Sequence, residues 1–350
     1  MKISQKQAKI LSIILKNGAL SSSAIYKNMV ESDEKISLVT IKRALSEMAD
    51  LGLVNISGSG PSTNYNISIK GRLFFPVNAK EYCATEPDKR FGLDKYNFEL
   101  IGSIPKDIFE EEELKLLEDA TQGYKKRIDN ISDVIQKKEL ERLVIELAWK
   151  SSKIEGNTYT LLDTERLILE NKEAAGHDKK EAQMILNHKE AFTFIHQNLS
   201  FFQELTRQNL EKLHSILVQN LNVNFGLRRK LVGIVGSKYK PLDNGYQIEE
   251  AVNSLSKIIL AIDSPYAKAL IAFIGISYIQ PFEDGNKRTG RLMTNALLLS
   301  HNLAPLSYRS VDEKEYREAM LSFYEINSLI PIKKIFIDQY VFAANNYAVK

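Results

Sequence analysis

The chain has 350 residues, 44% of them hydrophobic and 26% charged, with a formal net charge of +3. That length allows two domains with ample core, and that charge is too small to argue for a nucleic-acid partner by itself. A lone cysteine, Cys83, excludes an internal disulfide and any cysteine-rich metal site, which suits a reducing compartment. The opening MKISQKQAKI has no unbroken apolar run, so no signal peptide is expected. The most apolar stretch, Ala269 to Ile279, falls far below the ~20 residues of a membrane helix. A cytoplasmic location without a membrane partner is the expectation.

Ile10, Leu11, Ile13, Ile14 and Leu15 give a first amphipathic helix, stopped at Asn17-Gly18. Ser21-Ser22-Ser23 caps a second helix through Met29, and Ser37 caps a third. In the third, Val39, Ile41, Ala44, Leu45 and Met48 are apolar, while Thr40, Lys42, Arg43 and Glu47 are polar. Leu51 to Val54 opens an extended segment, Ser57 to Ser62 turns it, and Tyr65 to Ile69 returns with alternating character. Three helices and a hairpin resemble a winged helix-turn-helix domain, assigned to residues 1–75, with Gly71 to Phe75 extending the wing. Thr40, Lys42 and Arg43 would then face DNA; a protein-contact module is the alternative, because fold does not confer function. Residues 1–70 carry nine Lys/Arg against five Asp/Glu, a surplus of four, which leaves the remainder at −1 and tilts this segment slightly towards nucleic acid.

Residues 76–110 read as a connecting segment, with turns at Glu86-Pro87-Asp88 and Gly102 to Pro105. The acidic run Phe109 to Glu113 suits a helix start. Periodic stretches then run near 112–129, 137–153, 160–173, 180–197, 207–220, 248–261, 266–279, 287–300 and 313–325, so an all-α domain is expected over 111–335, with a C-terminal helix or tail over 336–350. Leu231 to Gly236, rich in β-branched residues and glycine, interrupts it as a short strand or hairpin.

The densest chemistry lies in Gln280-Pro-Phe-Glu-Asp-Gly-Asn-Lys-Arg-Thr-Gly-Arg291. Pro281 ends the apolar helix before it, and Gly285 and Asn286 permit the turn into the next, Lys287 to Ser300. A loop feeding a helix N-terminus presents unpaired amides and is a ready anion site. Arg288 and Arg291 lie a turn apart and can share a face. Asp284 stands just before this turn and could hold a magnesium ion bridging phosphates. No GxxxxGK[ST] pattern is present, so this is not a P-loop.

This segment resembles the Fic family signature H-P-F-x-[DE]-G-N-[GK]-R-x-x-R, with the leading histidine replaced by Gln280. Ser151 to Gly156 resembles the [ST]-x-x-x-E-[GN] inhibitory motif of some members, and Gly226-Leu-Arg228 with Val232 to Pro241 resembles the approach to their β-hairpin flap. The likeness spans roughly residues 110–330, with the motifs in the family's order. It implies AMP transfer from ATP to a hydroxyl of a target protein whose identity the sequence does not give. Carried over, Asp284 would bind magnesium and the amides of Gly285, Asn286 and Lys287 would cradle phosphates. Arg288 would hold the phosphate chain and Arg291 the γ-phosphate. Phe282 would anchor the loop, and Ile234, Val235, Gly236, Ser237 and Lys238 would align the target strand. Glu155, in a motif with Ser151 and Gly156, would bridge to Arg291 and keep the enzyme off. A carboxylate and a γ-phosphate compete for one guanidinium fork; an ordinary surface acid is the alternative for Glu155.

A glutamine amide can orient a hydroxyl but cannot take its proton, and losing a general base costs ~10²–10⁴ in rate. AMP transfer is therefore expected to be slow or absent. Three accounts stand: an introduced substitution, a natural nucleotide-binding pseudoenzyme, or another base. His177, His188, His196, His214 and His301 lie outside the motif, and His188 and His196 read as packing or surface residues. Lys287 is shared with phosphotransferase relatives of the death-on-curing toxin, but those lack the second arginine. A DNA-binding regulator whose degenerate core only senses nucleotide or a partner is the competing function, and a ligand-free helical interaction protein a third. Composition sets no oligomeric state; a dimer is compatible.

Overall fold

The computed structural model describes residues 3–32, 34–129 and 131–349. The chain divides into two compact units, one of Met1–Pro105, Gly233–Lys240 and Lys314–Lys334, the other of Lys106–Val232, Pro241–Glu313 and Ile335–Lys350.

In the first unit, helices α1 (Gln5–Asn17), α2 (Ser22–Glu31) and α3 (Leu38–Asp50) precede an antiparallel hairpin of β1 (Val54–Ser57) and β2 (Asn64–Ile67). Each helix starts on a serine whose hydroxyl accepts a first-turn amide: Ser4 from Gln7, Ser21 from Ala24 and Ser37 from Thr40. The hairpin register runs from Val54↔Ile67 to Ser57↔Asn64. Leu20 bridges Tyr65 and adds a minimal third strand. Ile10, Leu11, Ile14, Ile25, Ile41 and Leu45 fill one core beneath it. Lys42 and Arg43 are exposed on α3, with Arg43 paired to Glu47 at 3.2 Å. Val39, expected in the apolar set, is 76% exposed, because it lies on the same outer face.

Gly71 to Phe75 does not extend the wing. Ser68 accepts the Gly71 amide at 2.9 Å and starts helix α4 (Ile69–Leu73) directly after β2. Two short helices follow, α5 (Ala79–Cys83) and α6 (Phe98–Gly102).

The second unit begins with α7 (Glu111–Ile128), whose first turn is acidic and last turn basic, both favourable to the helix dipole. Helices α8 (Asp133–Ile154), α9 (Leu161–Glu170), α10 (Lys179–Gln197), α11 (Arg207–Leu217), α12 (Gly245–Ala261), α13 (Pro265–Ile279) and α14 (Asn286–Ser300) follow. Helix α13 is buried from Ala269 to Ile279, as its unbroken apolar run requires, and it packs along α14. Thr121 hydrogen-bonds the hydroxyls of Tyr266 at 2.7 Å and Tyr340 at 2.6 Å. Helix α15 (Glu313–Ile326) belongs almost wholly to the first unit, and α16 (Ile330–Asn346) completes the chain.

The strand or hairpin expected at Leu231 to Gly236 has no ladder among the described residues. It is irregular backbone folded by a tight turn, with the Ser237 amide donating to the Ile234 carbonyl at 3.1 Å. Val235 at the tip is 99% exposed. The base of the turn is held within the first unit, where the buried Glu325 carboxylate accepts from Ser237 Oγ at 2.7 Å and the Lys238 amide at 3.3 Å. Arg90 pairs with Glu325 at 3.0 Å and donates to the Gly236 carbonyl.

A Cβ on Gly71 would lie 2.1 Å from the Leu53 carbonyl oxygen, whereas one on Gly102 meets nothing within 4 Å. Gly71→Ala is expected to cost about 2 kcal/mol and Gly102→Ala essentially nothing, read as shifts in urea-unfolding midpoints.

Candidate functional site

The loop between α13 and α14 is built by side chains that spend themselves on its backbone. Gln280 ends α13 in the left-handed conformation, φ 52°, and its side-chain amide donates back to the Ser277 carbonyl at 2.6 Å. Asn286 clamps Phe282 from both sides, accepting its amide and donating to its carbonyl, each at 2.8 Å. Phe282 is fully buried and stacks on His214, with ring centroids 3.7 Å apart. His214 Nε2 donates to the Asp284 carbonyl at 3.0 Å. Burial pushes the His214 ring down to about 4, so it stays neutral. Arg228 ties the loop from below: its Nε donates to the Gln280 carbonyl at 2.6 Å, Nη1 to the Lys230 carbonyl at 2.8 Å, and Nη2 to the Leu242 carbonyl.

Gly285 occupies the position before α14 at φ 79° and carries no capping side chain. The first-turn amides at Asn286, Lys287 and Arg288 are thus left for an external acceptor. Asp284 accepts the Gly285 amide at 2.6 Å and Arg288 Nη2 at 2.9 Å. The Arg288 side chain is almost wholly buried, and its Nη1 has no hydrogen-bond partner among the described residues. An orphaned buried guanidinium N–H is costly unless an anion meets it, so these residues fit a phosphate group.

Glu155 follows the last turn of α8 and meets α14. Its Oε1 accepts from Arg291 Nη2 at 2.9 Å, and its Oε2 pairs with Lys287 Nζ at 2.8 Å. Arg291 also donates to Ser151, from Nε to the hydroxyl at 2.9 Å and from Nη2 to the carbonyl at 2.8 Å. Burial alone would raise the Glu155 carboxyl, but Arg291 and Lys287 overcome it and hold it at about 2. Gly156 continues the backbone at φ 99°. Arg291, Glu155 and Ser151, named from distant motifs, are therefore brought together. The bonds from Lys287 to Glu155, from Arg228 to the Gln280 carbonyl and from His214 to the Asp284 carbonyl were not foreseen, because each joins residues far apart in sequence.

Residues 204–298 match the family model described as Fic/DOC family, and residues 1–71 match that of the ferric uptake regulator family. Residues 204–298 are a Fic domain. The N-terminal segment is a winged-helix domain of the ferric uptake regulator family. The protein adenylyltransferase Fic of Nematostella vectensis is 28% identical over 189 residues, 52% of this chain and 44% of that protein. Its counterpart in Drosophila virilis is 30% identical over 170 residues, 47% of this chain and 34% of that protein. The match thus spans less than half of these curated relatives. Among solved structures, Fic-1 of Caenorhabditis elegans (residues 134–508) superposes with a TM-score of 0.58 at 19% identity, covering 67% of this chain and 72% of that one. A Fic family protein of Desulfovibrio desulfuricans G20 gives 0.57 at 20% identity, covering 69% and 75%. Both share the fold of the Fic core described above.

Removing one partner of a buried ion pair costs ~3 kcal/mol, and Glu155→Gln is expected to lose about that much in urea unfolding at neutral pH. Because the folded carboxyl is depressed, its stabilisation is complete above the unfolded value near 4.5 and fades as pH falls towards about 2. The gap between wild type and Glu155→Gln should therefore stay level from pH 7 to 5 and narrow below pH ~4.5.

Proposed function

We propose that the chain is a nucleotide-binding Fic-type protein adenylyltransferase scaffold, held off by Glu155 and deprived at Gln280 of its proton acceptor. The observation that carries this reading is the Glu155 bridge, 2.9 Å from Arg291 and 2.8 Å from Lys287. The acid occupies the cationic edge of α14 that a terminal phosphate would need, and like charges do not share one guanidinium.

In the proposed reaction a hydroxyl oxygen of the target attacks the α-phosphorus of ATP. A new O–P bond forms, the bond to the leaving pyrophosphate breaks, and the hydroxyl proton must go to a base. The amides of Asn286 and Lys287 hold phosphate oxygens, joined by that of Gly285 once Asp284 releases it, Arg288 neutralises the phosphate chain, and Arg291 takes the γ-phosphate once Glu155 withdraws. Asp284 is the carboxylate available for magnesium, which shields phosphate charge and typically uses one or two carboxylates besides the substrate. No cluster of three or more acidic, histidine or cysteine side chains that could hold a metal occurs among the described residues, so a magnesium ion here would depend on the nucleotide itself. The exposed turn Ile234 to Lys238 would pair with the target's main chain. Residue 280 supplies no basicity, and its amide is already committed to Ser277.

A second reading concerns the N-terminal domain. Its ferric uptake regulator match and the exposed Lys42 and Arg43 on α3 favour DNA contact, with Thr40 alongside at the start of that helix.

Glu155→Gly is expected to bind Mg-ATP at least tenfold more tightly than wild type by calorimetry, since one freed charge-assisted contact is worth ~1.5–3 kcal/mol. No heat with Mg-ATP in either form would overturn the nucleotide reading. Adding Gln280→His to Glu155→Gly should raise transfer of α-phosphate-labelled AMP to lysate proteins by ~10²–10⁴, with Gln280→His alone remaining low. For the DNA reading, a gel shift on promoter DNA should weaken steeply between about 50 and 200 mM salt and be lost in Lys42→Ala/Arg43→Ala; a salt-insensitive shift would argue against it.

A further inference from the structure

His188 has no chemical part in that reaction, yet it is 1% exposed and both its ring nitrogens are engaged. Nδ1 lies 2.9 Å from the Met184 carbonyl, which can only accept, so Nδ1 carries the hydrogen. Nε2 of the neutral ring is then an acceptor, and Ser151 Oγ lies 2.9 Å from it. The serine hydroxyl gives its hydrogen to His188 and keeps its lone pairs for Arg291 Nε, also at 2.9 Å. Donation therefore runs one way, from guanidinium to hydroxyl to imidazole to carbonyl, and each bond polarises the next. Burial pushes the His188 ring down, and the neighbouring Arg288 and Arg291 push it further, to about 3. A protonated ring would present a donor to a hydroxyl that must already accept from Arg291, and the chain of bonds would lose its direction.

The consequence falls on Arg291. With Nε on the Ser151 hydroxyl and Nη2 on the Ser151 carbonyl, the plane of the guanidinium is set by α8 before Glu155 is considered. We infer that His188 is a positioning residue, which through Ser151 pre-orients the Arg291 guanidinium so that the edge filled by Glu155 is aimed to receive the terminal phosphate of a nucleoside triphosphate. An arginine left to swing would have to be ordered at each binding event; one pinned along its Nε side is ordered in advance. This inference rests on the proposed reading of Arg291 as the terminal-phosphate ligand.

The test compares Mg-ATP with Mg-ADP on the full chain by calorimetry, because only ATP reaches Arg291 in that reading. Glu155→Gly should prefer ATP over ADP by about tenfold or more, the worth of one charge-assisted hydrogen bond. Adding His188→Leu should lower ATP affinity about tenfold and leave ADP within about twofold, so that the preference collapses. His188→Gln should restore most of it, since its side-chain oxygen can accept from Ser151. If His188→Leu does not fold, Ser151→Ala makes the same comparison by removing the hydroxyl. Parallel loss of ATP and ADP affinity, or an undiminished preference for ATP, would overturn the positioning role. Absence of any ATP preference in Glu155→Gly itself would instead overturn the assignment of Arg291, and the inference with it.

Discussion

Arg291 carries a full charge into a helix that is buried on nearly every side, and a buried guanidinium must be answered in full. Helix α8 answers it with a hydroxyl, a carbonyl and a carboxylate, all within one turn of chain from Ser151 to Glu155. Two of those partners are neutral and one is charged. The neutral pair fixes direction and the carboxylate neutralises. Only the second of those tasks rests on charge, so the direction of the guanidinium does not depend on the carboxylate alone. Lys287 strengthens the hold by taking the other carboxylate oxygen, so leaving the site means releasing two cations at once.

The remainder of the site is rigid for a related reason. Asn286, His214 and Arg228 each direct at least one polar atom at backbone of the α13–α14 loop. Each satisfies a peptide group that the loop's irregular path would otherwise leave bare in a dry interior. The amides at the start of α14 are thus held in place by bonds made to the loop that precedes them.

Local chemistry in the sequence was enough for the helices, the serine caps, the turn at Gly285 and the buried run of α13, because each is decided within a few residues. The pairing of Glu155 with Arg291 was legible only through the resemblance of two separated motifs to one family. The structure places them 2.9 Å apart. What stayed hidden were bonds spanning long separations: His188 to Ser151, His214 to the Asp284 carbonyl, Arg228 to Leu242. A histidine on an apolar helix face reads as packing, and here it packs and also relays a hydrogen bond. The errors were of the opposite kind. Val39 followed the helical period but fell on the outer face, and Gly71 to Phe75 followed the wing but closed into a turn of helix once Ser68 supplied a cap. At Leu231 to Gly236 a β-rich composition met no neighbouring strand among the described residues, and it bent without pairing.

Gln280 sits at a left-handed backbone position, where branching at Cβ is strongly disfavoured and glycine, asparagine, aspartate, histidine or an unbranched amide is tolerated. A glutamine therefore keeps the loop's shape while withholding a basic nitrogen. Histidine and glutamine codons differ only at the third base. The two side chains can therefore be exchanged at this position by a single nucleotide change while the left-handed backbone of the loop is kept.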